Sequence, residues 1–119
     1  MKRTIVLGAS PNSERYAYKA VIALDKKGHE VFPIGIKQGT IEEIEIITDL
    51  PKISYVHTIS LYLRPKLQED LYDYILTTKP KRIIFNPGTE NPELINMAVK
   101  QGIKTENSCT LVLLRIGAF

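Results

Sequence analysis

The feature that most constrains this chain is the stretch Thr4 to Tyr18, which reads T-I-V-L-G-A-S-P-N-S-E-R-Y-A-Y. The apolar run Ile5 to Leu7 stops at Gly8-Ala9-Ser10, passes through Pro11 and Asn12, and enters a segment whose apolar residues recur at helical spacing. Strand, small-residue turn and helix in direct succession are the opening of a βαβ unit. A turn of small residues lets the backbone approach a ligand closely, and the first turn of the helix offers N–H groups without intrahelical partners, which suit a phosphate. An ordinary βα turn has the same local signature, so the remaining strands and their loops have to decide between the two.

The helix expected after the turn runs from about Glu14 to Lys27, with Tyr16, Ala17, Ala20, Val21 and Leu24 recurring at helical spacing and Lys26-Lys27-Gly28 as its close. Glu30 to Ile34 reads as a second buried strand, which predicts a right-handed parallel crossover. From Gly35 to Ile53 the pattern weakens, and either a short edge strand or an irregular excursion fits, with Glu42, Glu43 and Glu45 as a solvated acidic edge. Val56 to Leu63 is the third strand, Lys66 to Leu76 a helix with Leu67, Leu71, Tyr74 and Ile75 on its inner face, and Arg82 to Asn86 the fourth strand. Asn91 suits a helix cap and Pro92 the first helical position, and that helix is expected to end at Gln101-Gly102. Ile103 to Glu106 gives a fifth strand, and the apolar tail Thr110 to Ile116 is strand or helix. This alternation predicts one Rossmann-like, doubly wound α/β domain over residues 1–119, with a mostly parallel sheet of about five strands.

Composition narrows the chemistry. With 119 residues, 44% apolar and 24% charged, the chain fits one compact domain, has no apolar run able to span a bilayer, and shows no targeting segment, so a cytoplasmic protein is expected. The single Cys109 rules out an internal disulfide, and only His29 and His57 could offer imidazole to a metal, without a ligand motif around either. Sixteen basic residues against thirteen acidic ones are dispersed along the chain, a balance that fits a small anionic molecule and argues against nucleic acid or membrane as partner. No nucleophile, base and acid stand at a spacing that defines a catalytic set.

In an open parallel sheet, ligands gather at the carboxyl ends of the strands. The loops to consider are therefore Gly8 to Arg15, Pro33 to Gly39, Leu61 to Pro65 and Asn86 to Asn91. The first lacks the GxGxxG set, the second strand ends without a carboxylate, and Lys37 is the first charge beyond it. An acid there would hold ribose hydroxyls, whereas a cation can neutralise a ribose phosphate, so NAD is disfavoured. No Walker loop is present either.

Taken together, Gly8-Ala9-Ser10 with Asn12, Arg15 and Tyr18, the run Gly28 to Ile34, Asp49-Leu50-Pro51, Asn86-Pro87-Gly88, Ala98, Gly102-Ile103 and Asn107-Ser108-Cys109 resemble the small stand-alone CoA-binding proteins. Their domain is similar to the CoA-binding domain of the succinyl-CoA synthetase α subunit. The resemblance covers nearly the whole chain and implies coenzyme A or an acyl-CoA lying across the strand ends. It implies that Gly8, Ala9, Ser10, Asn12 and Arg15 surround the phosphates and that Pro33 and Lys37 lie by the adenosine and its ribose phosphate. Leu61, Tyr62 and Leu63 would border the adenine or pantetheine, and Gly88 and Thr89 the remaining wall. The chain departs from these proteins at Pro33-Ile34-Gly35-Ile36, where a Pro-Val-Asn-Pro type sequence is usual, and at the bulky Leu61-Tyr62-Leu63. The expected role is non-catalytic binding. The alternative is a subunit of a CoA- or nucleotide-dependent enzyme whose partner chain supplies the catalytic groups.

Overall fold

The computed structural model describes residues 1–119. Strand β1 (Thr4–Leu7) leads through the small-residue turn into helix α1 (Tyr16–Lys26), which returns to β2 (Val31–Ile34). A two-strand hairpin follows, β3 (Thr40–Ile41) with β4 (Ile44–Glu45), and then β5 (Thr58–Leu61). Helices α2 (Pro65–Gln68) and α3 (Tyr72–Thr78), joined by a 3-10 turn over Glu69–Leu71, lead to β6 (Arg82–Phe85). Helix α4 (Pro92–Lys100), β7 (Lys104–Asn107) and α5 (Thr110–Arg115) complete the chain. The five long strands form one parallel sheet in the order β2-β1-β5-β6-β7, so the expected doubly wound α/β domain is what the chain forms.

The register explains the composition of the strands. Ile5, Ile59 and Ile83 lie side by side, as do Leu7, Leu61 and Phe85, and these two rows point into the core shared with Ile75, Leu94 and Ala98. Val6, one residue out of phase, points to the opposite face, where α1 contributes Ala17, Val21 and Leu24 and α5 contributes Leu114. Successive strand side chains alternate between faces, and both faces are covered by helices, so β1, β5 and β6 are buried at every position. That is why they read as continuous apolar runs and not as alternating ones.

Two expectations are corrected, and one left open is decided. The helix expected over Lys66 to Leu76 is broken into α2, a 3-10 turn and α3, because Gln68 turns inward and is fully buried on backbone carbonyls of two loops while Leu67 is half exposed. The third strand ends at Leu61, so Tyr62 and Leu63 belong to the loop. The tail is helical, with Thr110 and Leu114 on the buried side of α5. Residues 35–53 combine the two readings: beside the β3–β4 hairpin, Gly35 N–H donates to the Ile47 carbonyl at 3.0 Å and Ile47 N–H to the Pro33 carbonyl at 2.8 Å, which covers the open edge of β2. The exposed Glu42, Glu43 and Glu45 lie on that hairpin and its turn. No helix is long and apolar enough to cross a membrane.

Candidate functional site

In the order β2-β1-β5-β6, the chain leaves β1 in one direction, towards β2, and leaves β5 in the other, towards β6, so the loops after β1 and β5 diverge and leave a crevice. A cleft of about 520 Å³ lies there, a volume typical of a small-molecule site. The loop after β1 supplies Gly8, Ala9, Ser10, Asn12 and Arg15, and the start of α1 supplies Tyr16 and Ala17. The loop after β2 supplies Ile36 and Lys37, the loop after β5 Tyr62, Leu63 and Arg64, and the loop after β6 Pro87, Gly88 and Thr89.

Two glycines allow these loops to meet. Gly8 has φ +102°, and a Cβ on it would stand 3.0 Å from both Leu63 Cγ and the Tyr62 carbonyl carbon. At Gly35 a Cβ would stand 2.1 Å from the Ala9 carbonyl oxygen, closer than any real contact. The first loop is therefore pressed on one side against the third and on the other against the second, with Gly8 and Ala9 N–H groups both donating to the Ile34 carbonyl at 2.9 Å. Beyond it, Asn12 N–H donates to Ser10 Oγ at 3.1 Å and Glu14 N–H to Asn12 Oδ1 at 3.0 Å, so the side chains of the turn are used to shape it. The chain then enters α1 at Arg15, which is extended and provides no side-chain cap. The amino end of α1 is thus left with partial positive charge and uncapped N–H groups beside the cleft.

The far wall is held from below. Gln68 Nε2 donates to the Leu63 carbonyl at 2.6 Å and to the Thr89 carbonyl at 2.8 Å, and Gln68 Oε1 accepts from Asn91 Nδ2 at 2.8 Å. Asn91 also caps α4, its Oδ1 accepting from Leu94 N–H at 3.3 Å, and Pro92 stands at the first helical position. Asn86, buried at the end of β6, donates to Ser60 Oγ at 2.9 Å and to the Leu61 carbonyl at 2.8 Å and accepts from Thr110 N–H at 2.8 Å. The Gly88 N–H is taken by the Glu90 carboxylate at 2.8 Å.

The electrostatics are one-sided. Arg15, Lys37 and Arg64 are exposed cations, none of them paired with a carboxylate, and the fifteen residues of the cleft include no Asp or Glu. Tyr62 contributes a ring and a buried hydroxyl that lies beside Ser60 and Thr110 without a hydrogen bond to either. Burial, reinforced by the neighbouring Cys109, pushes that hydroxyl up to about 12, so it is neutral at physiological pH.

Of the twelve residues expected at the site, ten line the cleft. Pro33 and Leu61 do not: both are buried inside strands, Leu61 in the core. Sequence reasoning did not single out Ile36, Arg64 and Pro87, although each lies within a loop it had picked, nor Ala17, two residues beyond the first of those loops. Of the two tyrosines of α1, Tyr18 packs on the core and Tyr16 stands exposed at the cleft. Gln68 left no signal beyond its position in an apparently regular helix.

Among curated proteins, none matches this chain. Among solved structures, an uncharacterized protein is 48% identical over 100% of this chain and 98% of its own, with a TM-score of 0.97. A protein of Thermus thermophilus, 19% identical, shares the fold over 99% of this chain and 91% of its own with a TM-score of 0.83. A hypothetical protein of Pyrococcus horikoshii, 24% identical, does so over 93% of this chain and 80% of its own, also with a TM-score of 0.83. The model of the CoA binding domain family matches residues 2–115, which is nearly all of the chain and contains every residue of the cleft. The chain belongs to the CoA-binding domain family.

Proposed function

We propose that this protein binds coenzyme A or an acyl-CoA in the cleft between the loops after β1, β2, β5 and β6, as a binding module without chemistry of its own. The observation that carries the reading is the set of three unpaired cations, Arg15, Lys37 and Arg64, around a carboxylate-free cleft at the uncapped start of α1. Coenzyme A carries a diphosphate and a ribose phosphate, and several cations arranged with backbone N–H groups match such a ligand. Gly8, Ala9, Ser10, Asn12 and Arg15 would surround the diphosphate, Lys37 would meet the ribose phosphate, and Tyr62, Leu63, Gly88 and Thr89 would border the rest. Pro33 and Leu61 act through the strands they belong to. The reactive thiol belongs to the ligand, and the fold presents it.

Thermal denaturation with CoA, dephospho-CoA, NAD and ATP in parallel tests this. A ligand that binds only the folded state stabilises it by about 2.7 kcal/mol at a hundredfold excess over its Kd. CoA is expected to raise the Tm most and NAD least. No shift with CoA at millimolar concentration would rule the reading out.

A further inference from the structure

Ile36 is 95% exposed, the most exposed of the chain's large apolar side chains, and it stands on the wall of the cleft. A single apolar residue in water carries no meaning by itself, but Tyr16, 69% exposed, lines the same cleft, so apolar surface lies open beside the cations. The backbone holds Ile36 in place. Before it, Gly35 is pressed against Ala9, where a Cβ would stand 2.1 Å from the carbonyl oxygen, and Gly35 N–H donates to the Ile47 carbonyl at 3.0 Å. After it, Gly39 lies against Pro11, where a Cβ would stand 2.8 Å from the proline Cβ, and the Gly39 carbonyl accepts from Ile46 N–H at 2.9 Å. Ala9 and Pro11 both belong to the loop after β1, so the arch Ile36-Lys37-Gln38 is fastened at both feet to the loop that leads into the uncapped start of α1. An aliphatic side chain held in this way stays in water until an apolar group comes to it, and covering it is favourable in proportion to the area removed from water.

Coenzyme A has two parts that can cover it. One is the adenine base, joined to the ribose that carries the phosphate, and the other is the pantetheine arm, which begins beyond the diphosphate. Ile36 is the immediate neighbour of Lys37, whereas Tyr62 and Leu63 stand on a different loop, after β5. With the ribose phosphate at Lys37, the base is the part that reaches Ile36.

On the reading of the cleft as a CoA site, we propose that Ile36 is the seat of the adenine base, its methyl groups lying against the flat of the ring. The protein then takes nucleotide-bearing forms of the cofactor in preference to phosphopantetheine, which has the arm without the base. Ile36 offers neither donor nor acceptor, so it reads the area and flatness of the ring and not the groups on its edge.

The Ile36 Cδ1 methyl resonance is the local readout, because a ring stacked on a methyl group moves it upfield by its ring current. CoA, and the adenosine bisphosphate that forms its nucleotide end, are expected to move it upfield saturably, and phosphopantetheine to leave it in place. Calorimetric titration of the same three ligands supplies the affinities. Ile36→Ser, a change at an exposed side chain, is expected to weaken CoA and the bisphosphate about five- to tenfold, and phosphopantetheine by less than about twofold. Ile36→Leu, which keeps the apolar volume, is expected to bind CoA within about twofold of the unaltered chain. Unchanged CoA affinity in Ile36→Ser, equal losses in Ile36→Ser and Ile36→Leu, or a methyl that moves with phosphopantetheine and not with the bisphosphate would overturn the assignment and leave the cleft as the CoA site. Absence of CoA binding by the unaltered chain would overturn the proposed function together with it.

Discussion

The side-chain amide of Gln68 donates to the main-chain carbonyl of Thr89 at 2.8 Å, and the same nitrogen donates to that of Leu63 at 2.6 Å. One fully buried amide thereby ties the loop after β5 to the loop after β6, two walls of the cleft. Replacing Gln68 by Met, which keeps its length but offers no donor, leaves two carbonyls and one Asn91 N–H short of a partner. A loss of about 2 to 4 kcal/mol in unfolding free energy is expected, read from urea denaturation. A loss below about 0.5 kcal/mol would show that the tie is not structural.

Gly35 and Ala9 make the closest loop-to-loop approach. Gly35→Ala would set a methyl 2.1 Å from the Ala9 carbonyl oxygen, and Ala9 cannot withdraw without breaking its hydrogen bond to Ile34. Overpacking of this kind costs about 1 to 3 kcal/mol. Because the displaced atoms belong to the cleft, the stabilisation by CoA should fall together with the Tm; an unchanged CoA response in a destabilised variant would place the ligand elsewhere.

Lys37 stands alone among charged residues in the loop after β2. Lys37→Ala is expected to weaken CoA about tenfold, which is about 1.4 kcal/mol, and dephospho-CoA by less than about twofold. Calorimetric titration of both ligands checks this, and equal losses would mean that Lys37 does not read the ribose phosphate.

Tyr62 links the cleft to pH. Its hydroxyl is raised to about 12 in the folded protein against about 10 in an unfolded chain, so the folded state keeps a proton that the unfolded state loses. Its contribution is constant below pH 10 and is lost as pH rises from 10 towards 12, by up to about 1.4 kcal/mol per pH unit. Tyr72 and Tyr74 are also raised and slope the same way, so the comparison is with Tyr62→Phe. That variant removes an unpartnered hydroxyl and should match the parent at pH 8 while losing less stability between pH 10 and 11. An identical alkaline slope would show that Tyr62 ionises freely in the fold.

Much of the architecture was legible because the chain is locally consistent. The face of α1 is written in Ala17, Ala20, Val21 and Leu24, and the cap of α4 in Asn91-Pro92. Each needs only neighbours along the chain. The break in the helix after β5 was illegible, since Leu67, Leu71, Tyr74 and Ile75 fit helical spacing and only a contact with Leu63 and Thr89 makes it favourable to bury Gln68 instead. Leu61, Tyr62 and Leu63 show the same limit within three residues. All are apolar or aromatic, yet the first is core and the other two line the cleft, because the strand ends between them.

What the sequence by itself determined is the alternation of the main strands and helices and the four loops at the carboxyl ends of the strands, through periodicity and turn residues. What only the tertiary structure decided is which side chains those loops bring together. Arg64 joins Arg15 and Lys37, Pro33 and Leu61 drop out, and Arg82 becomes a buried charge at the opposite end. Sheet order and register set those distances, and both are fixed by contacts between residues far apart in the chain, whose energies no local pattern records.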